Sequence, residues 1–209
     1  MKNKFFFGAL LVLVTFLAGC SKDSGRSGPL ARPISNEQLK TELTILTDTL
    51  TGKWNVMMDS DSLKIKQMED LLAALPPAVV AAQQRADLQK AIRRLPTLRY
   101  DRNTVRVSDR IDAYDLAHES VWNAIKAFLP TDGPTGDLRV DSLQQSIQAH
   151  HSEVIFYRGR YDKTAKEINT LLRRYKKQIP KLGKPYDTLQ PMPLFQWVDK
   201  SAASQTNEE

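Results

Sequence analysis

Residues 35–58 read SNEQLKTELTILTDTLTGKWNVMM, and apolar side chains recur in this stretch at steps of three and four. That spacing is typical of a helix that buries one face. Ser35 and Gln38 match the capping box with which many helices begin, because their side chains can satisfy free backbone amides of the first turn. The sequence therefore predicts a long amphipathic helix that starts directly after Ser35.

The remaining helices follow from the same pattern and from proline and glycine positions. The first stripe continues beyond a polar break at 59–62 and stops at Pro76-Pro77. Three more helices are predicted, one ending at about Arg94 before Pro96, one over about 104–129, and one over about 138–178 before Pro180 and Gly183. No segment has a convincing strand pattern. The predicted fold class is all-α, an elongated antiparallel helical bundle of about four helices.

The third and fourth predicted helices each carry apolar positions with alternating four–three spacing, which favours direct packing of two helices. They are joined by the turn sequence TDGPTGD, residues 131–137. If they fold back as a hairpin, Val121 faces Ile147. The same register places His118 opposite His150.

This register predicts a histidine layer that also includes Asp115 and His151. Imidazole and carboxylate groups at helical spacing are ligands for transition metals, so Asp115, His118, His150 and His151 are the candidate metal site. Two other interpretations remain open. The layer could be a polar layer that fixes the helix register, or a pH-sensitive layer, because histidine titrates near neutral pH.

The amino terminus predicts export and lipidation. Lys2 and Lys4 precede an apolar run of about a dozen residues, which is shorter than the roughly 20 residues that span a bilayer. Leu17-Ala18-Gly19-Cys20 resembles a bacterial lipobox, in which the cysteine thiol receives a lipid. We expect residues 1–19 to be a lipoprotein signal peptide and Cys20 to be the lipid attachment site. The alternatives are an ordinary signal peptide with an incidental cysteine, or an uncleaved anchor.

The expected domain organisation follows from composition. Residues 20–34 form a flexible tether rich in Ser, Gly, Arg and Pro, residues 35–180 the helical bundle domain, and residues 181–209 an irregular segment with a polar tail. The expected location is the bacterial cell envelope, lipid-anchored, with the periplasmic or surface face of the outer membrane favoured. Loss of Lys2 and Lys4 lowers the basic residues from 30 to 28 against 24 acidic ones, so the net charge falls from +6 to +4. That charge requires no nucleic-acid partner.

A cluster of basic residues ends the fourth predicted helix. It comprises Arg173, Arg174, Lys176, Lys177, Lys181 and Lys184. Cations at a helix carboxyl terminus are favoured by the helix dipole, which is a purely structural explanation. The functional interpretation is contact with anionic lipid headgroups or an envelope polymer, with Arg173, Arg174, Lys176 and Lys177 as the interaction residues.

The later part of the fourth helix resembles the carboxyl-terminal signature of LemA-family proteins, roughly R-x-x-Y-N-x-x-V-x-x-Y-N-x-x-I-x-x-F-P. Arg158, Tyr161 and Asn169 fit it directly, and Pro191–Phe195 is similar to the family's closing element. Asp162, Ala165, Ile168 and Lys176 depart from it, and the two adjacent histidines have no counterpart there. The resemblance implies a membrane-tethered antiparallel helical bundle with no known catalytic residues. It covers about a quarter of the chain.

No catalytic motif was identified, since the sequence has neither a Gly-x-Ser-x-Gly elbow nor a glycine-rich phosphate loop. We therefore expect a protein that is not an enzyme and that has no cofactor. The expected function is a membrane-anchored lipoprotein that acts as an interaction or scaffold module, bound to the membrane through Cys20 and to a protein partner or a second copy. The alternative is a ligand- or metal-binding module that uses the His118 and His150 layer.

Overall fold

The computed structural model describes residues 33–195, and this part of the chain contains four α-helices and no strand. The helices are α1 (Asn36–Ala74), α2 (Ala82–Leu98), α3 (Ser108–Lys126) and α4 (Leu138–Arg174). Two short 3₁₀ turns follow, Ile179–Lys181 and Tyr186–Thr188. The predicted all-α helical bundle is confirmed.

Helix α1 begins where the sequence predicts. The Ser35 side chain accepts a hydrogen bond from the Gln38 amide at 3.1 Å, and the Gln38 side chain accepts one from the Ser35 amide at 2.9 Å. The helix continues through the polar residues 59–62 without interruption and ends at Ala74, before Pro76-Pro77. At 1.5 Å per residue, this helix is about 58 Å long.

Other helix boundaries differ from the prediction. Helix α2 includes Pro96 and ends at Leu98, because a proline in the last turn removes only one backbone hydrogen bond there. Helix α3 is shorter than predicted, and Val107, expected in a buried seam, precedes it with a 42% exposed side chain. Helix α4 ends at Arg174, after which the chain turns away well before Pro180.

The predicted direct packing of the third helix on the fourth is wrong. Helix α4 lies along α1, and α3 lies against α2, whereas the backbones of α3 and α4 hardly approach each other. In the predicted register Asp115 lies on the His151 side of the seam, whereas in the structure Asp115 pairs with Arg158. An apolar stripe shows which face of a helix is buried and does not specify its partner, and the longest stripe belongs to α1.

Two apolar clusters form the core of the bundle, and α1 and α4 contribute to both. The first cluster joins the amino-terminal half of α1 to the carboxyl-terminal half of α4, with Leu43 and Ile168 among its fully buried residues. The second joins the other half of α1 to α2, α3 and the start of α4, with Leu72 and Ile147 among its fully buried residues. Polar and charged side chains at the middle of α1 lie between these clusters along that helix.

The chain after α4 stays packed on the bundle as far as Phe195, beyond the predicted domain boundary at 180. Leu182 and Phe195 are buried in the first cluster. The Asn169 side chain donates a hydrogen bond to the Met192 carbonyl at 2.8 Å and accepts one from the Met192 amide at 2.6 Å. Asn169 therefore holds the segment around Met192 against α4.

Several predictions concern residues outside the described part of the chain. These are the signal peptide 1–19, the lipid attachment site Cys20, the tether up to residue 32 and the tail 196–209. Among residues 33–195, no helix combines the length and the apolar character needed to cross a bilayer.

Candidate functional site

A cavity of about 340 Å³ lies between α1, α3 and α4 at the level of the polar break in α1. Its polar lining residues include Asp61, Lys64, Asp115, His118, His150 and Arg158. Its apolar lining residues include Met57, Met58, Val154 and Ile155, together with the rings of Tyr100 and Tyr114. A volume of this size lies at the lower end of the range for small-molecule sites in proteins.

Asp61 is the centre of the polar network on the α1 side of the cavity. Its Oδ2 atom lies 2.7 Å from an Arg99 guanidinium nitrogen and accepts a hydrogen bond from the Tyr114 hydroxyl at 2.5 Å. Its Oδ1 atom faces Lys64 Nζ at 3.6 Å and His118 Nε2 at 3.5 Å. One carboxylate oxygen is thus held by two short contacts, while the other lies near two nitrogens at longer distances. Burial, and then the charge of Asp61, raise the pKa of Tyr114, which keeps this hydroxyl a hydrogen-bond donor.

Lys64 is a buried cation, with only 5% of the residue exposed. Burial lowers the pKa of Lys64, and the negative charge of Asp61 opposes that effect. The nearest carboxylate oxygen is the one 3.6 Å away, which is beyond ordinary hydrogen-bond length. Within residues 33–195, the ammonium group therefore has a neighbouring charge and no short hydrogen bond.

His118 is 3% exposed, and neither of its ring nitrogens has a hydrogen-bond partner among the described residues. The ring packs edge-on against Tyr114, with the ring centroids 4.5 Å apart. Burial, and then the positive charge of Lys64, lower the pKa of His118 to about 4. At neutral pH the imidazole is uncharged, with one free donor and one free acceptor.

Arg158 closes the other side of the cavity. Its guanidinium donates two hydrogen bonds to Asp115, both 2.7 Å long, and contacts the Tyr100 hydroxyl at 3.1 Å. It also lies over the Phe195 ring, 5.3 Å from the centroid. This one side chain therefore connects α4, α3 and the carboxyl-terminal segment.

The four candidate metal ligands all line this one cavity. His150 Nδ1 lies 2.9 Å from the Ser60 hydroxyl oxygen and 3.5 Å from Glu153. Both oxygens of Asp115 are occupied by Arg158. Across residues 33–195, no three His, Cys, Asp or Glu side chains are arranged so that they could hold a metal ion. The four predicted residues therefore line one cavity, and the polar contacts of Asp115 and His150 are with other side chains.

The basic residues predicted for interaction lie on the surface at the end of α4. Arg173, Arg174, Lys176, Lys177, Lys181 and Lys184 are all exposed, and no ion pair joins any of them to another described residue. The amino-terminal end of α1 lies at this same end of the bundle. The Gln178 side chain donates hydrogen bonds to the Ile34 carbonyl at 3.1 Å and to the Asn36 side chain at 2.8 Å.

Sequence reasoning did not identify Asp61, Lys64 or Arg99 as parts of this site. The available signal was the polar break in the α1 stripe, where Asp61 occupies a position that faces the interior. The sequence alone treats such a break as a solvated interruption. Lys64 was not predicted as part of this site either, because lysine is rarely buried in proteins.

Comparisons of the chain with protein-family models, with curated proteins and with solved structures returned no match. The LemA resemblance therefore stays a prediction that depends on the residues of α4 and the segment after it.

Proposed function

We propose that this chain is an exported, lipid-anchored, non-catalytic helical module of the bacterial cell envelope. In this proposal Cys20 carries the lipid, the tether connects it to the bundle, and the long faces of α1 and α4 are available to a protein partner or to a second copy. A tether of this composition reaches on the order of 20 Å, which keeps the first turn of α1 close to the membrane surface.

One structural relationship supports the proposal. Gln178 holds Ile34 and Asn36 at the end of the bundle that bears the six exposed cations. A tether that leads from Ile34 to a lipid brings that basic end toward the headgroups. Each Lys or Arg near an anionic bilayer contributes about 1 kcal/mol of attraction. Lipid anchor and basic surface would then act on the same end of the molecule.

The lipid anchor is tested by mass. Intact-mass measurement of protein extracted from membranes should show Cys20 carrying two or three acyl chains, and globomycin should cause the precursor to accumulate. The Cys20→Ala variant should leave the membrane fraction. A bare cysteine in membrane-extracted protein would refute the anchor.

The basic end is tested separately with a matched pair of variants. The double variant Arg173→Gln/Arg174→Gln should weaken binding to vesicles that contain phosphatidylglycerol. The control Arg93→Gln/Arg94→Gln also removes two exposed neighbouring arginines near a helix end, and it should bind like the wild type. Equal loss in both variants, or binding that does not respond to salt, would contradict the proposed orientation.

A second candidate function is binding of a small ligand in the cavity between α1, α3 and α4. The observation that favours it is His118, which lines the cavity, is almost completely buried and has two unpaired ring nitrogens. Unpaired buried polar groups destabilise a fold by about 1–3 kcal/mol each, and a bound ligand can satisfy them. Titration calorimetry with the full chain and small carboxylates tests this candidate.

A further inference from the structure

The three cations of the polar network differ in how closely they are paired. Arg158 and Asp115 form one complete ion pair, with both guanidinium–carboxylate distances at 2.7 Å. Asp61 forms a second pair with Arg99, also at 2.7 Å. Lys64 remains as a third cation, and its nearest carboxylate is already paired. Of these three cations, Lys64 is therefore the one without a carboxylate oxygen within hydrogen-bond distance among the described residues.

The other carboxylates near the cavity form no ion pair with Lys64 among the described residues. Glu119 lies at the exposed edge of the cavity lining. Glu153 is 44% exposed and is engaged by His150 at 3.5 Å and by the Tyr157 hydroxyl at 3.2 Å. Exposed carboxylates are screened by solvent and interact weakly with a buried ammonium group. Within residues 33–195, Asp61 is the one carboxylate in ion-pair contact with Lys64.

His118 adds a second and independent observation. Its ring lies close to the same Asp61 oxygen as Lys64, and both of its nitrogens lack hydrogen-bond partners. A neutral imidazole has one N–H donor, which can complement an anion beside a lysine without adding charge. An ammonium and a free ring N–H thus line the same cavity.

One part of the remaining lining is apolar, which argues for an organic ligand rather than an inorganic ion. Met57, Met58 and Val154 face the same cavity as Lys64 and His118. Methionine side chains adapt to ligands of different shape, because they are unbranched and polarisable. A small inorganic anion would leave this apolar part of the cavity unused.

We propose that the cavity binds a small organic carboxylate, whose carboxylate group pairs with Lys64 and accepts a hydrogen bond from His118. The apolar part of the ligand lies against Met57, Met58 and Val154. This inference rests on the second candidate function, the ligand-binding cavity, and is independent of the lipid anchor. It adds the chemical class of the ligand.

The experiment measures binding to the full chain in a nonionic detergent by titration calorimetry and by thermal unfolding. The probes are benzoate and hexanoate, with benzamide and benzylamine as neutral and cationic matches of benzoate, and inorganic phosphate as a purely inorganic anion. We expect benzoate or hexanoate to bind and to raise the unfolding temperature by at least about 2 °C at saturating concentration. We expect the three other probes to bind at least tenfold more weakly.

Two methionine variants of α1 locate the binding. Lys64→Met removes the buried ammonium, whereas Lys66→Met removes an exposed one whose partner is Asp70, at 2.5 Å. Carboxylate affinity should fall at least tenfold in Lys64→Met and stay unchanged in Lys66→Met. Equal affinity in the two variants would overturn the proposal.

The other outcomes are also decisive. If benzamide or benzylamine binds as tightly as benzoate, the ligand class is wrong while the cavity remains a binding site. If no probe binds, both the ligand class and the second candidate function are rejected, and the lipid anchor is unaffected. Should Lys64→Met fail to fold, the comparison of benzoate with benzamide on the wild-type chain decides the question.

Discussion

Arg158 of α4 and Asp115 of α3 form a two-point ion pair, with both N–O distances at 2.7 Å. The backbones of these two helices hardly approach each other, so side-chain contacts, this pair among them, join the two helices. The same guanidinium also contacts the hydroxyl of Tyr100. Removing it should loosen α3 and the carboxyl-terminal segment together.

The Arg158→Lys substitution tests the geometry of this pair, because lysine keeps the charge and loses the planar fork. We expect the free energy of unfolding to fall by about 1–3 kcal/mol, as a charge-assisted hydrogen bond and the contact with Tyr100 are lost. Urea unfolding measures the change. The exposed Arg173→Lys is the control and should change stability by less than about 0.5 kcal/mol. Equal values for the two variants would contradict the role assigned to Arg158.

Asp61→Asn should be the most destabilising single substitution in the polar network. It removes the negative charge that Arg99 and Lys64 share, and it leaves two cations close together in a largely buried site. Loss of one partner from a buried pair costs about 3–5 kcal/mol. Thermal and urea unfolding measure the effect, and Asp59→Asn, at an exposed position of the same helix, is the control.

Adding Lys64→Met to Asp61→Asn removes the ammonium that has lost its partner. We therefore expect the double variant to recover part of the lost stability. A double-mutant cycle measures this coupling between the two positions. Strictly additive effects would show that Asp61 and Lys64 do not interact.

His118 predicts an acid-sensitive fold. Its pKa is about 4 in the folded chain, against an ordinary value of 6.5. Between these values the unfolded chain binds a proton that the folded chain does not, so the free energy of unfolding falls as the pH decreases from 6.5 to 4. The loss is about 3 kcal/mol when the interval has been crossed. The charged groups that surround the ring are Asp61, Lys64, Asp115 and Arg99.

The His118→Gln variant should have a flatter pH dependence between pH 6.5 and 4, as measured by chemical unfolding at several pH values. His151 contributes in the same direction, because burial and then the charge of Lys64 lower its pKa as well. The His151→Gln control should therefore keep most of the slope. A slope in His118→Gln as steep as that of the wild type would exclude His118 as its cause.

Asn169→Ala tests how the carboxyl-terminal segment is held. The substitution removes two hydrogen bonds to the backbone of Met192, 2.6 and 2.8 Å long. We expect a loss of about 1–3 kcal/mol and faster hydrogen exchange at the Met192 amide, since the freed groups become solvated. Trypsin should also cut sooner after the exposed Lys181. Gln190→Ala, at an exposed position nearby, is the control and should leave the exchange rate unchanged.

The start of α1 and its buried face could be predicted from the sequence because they depend on local chemistry. The Ser35–Gln38 capping box and the stripe of α1 are present as predicted. The predicted end of α2 at about Arg94 is wrong, because a proline is tolerated in the last turn of a helix and α2 continues through Pro96. Local signals therefore located the helices and left some of their ends uncertain.

Helix partners could not be predicted, because an apolar stripe is compatible with any neighbour of matching length. The histidine layer shows the consequence. His118 and His150 do line one cavity, but each finds its nearest polar neighbour on α1, at Asp61 and Ser60. The site includes residues of α1, which the predicted direct packing of the third helix on the fourth left out.

The uninterrupted length of α1 also sets how far apart the two ends of this helix lie. The basic surface and the start of α1 share one end of the bundle, while the turn between α3 and α4 packs near the other end, beside Leu75 and Pro76. Under the proposed anchor at Cys20, a helix of about 58 Å that stood perpendicular to the bilayer would hold that turn roughly one bilayer thickness or more above the headgroups. A partner that binds at this tip would then contact the molecule away from the membrane surface.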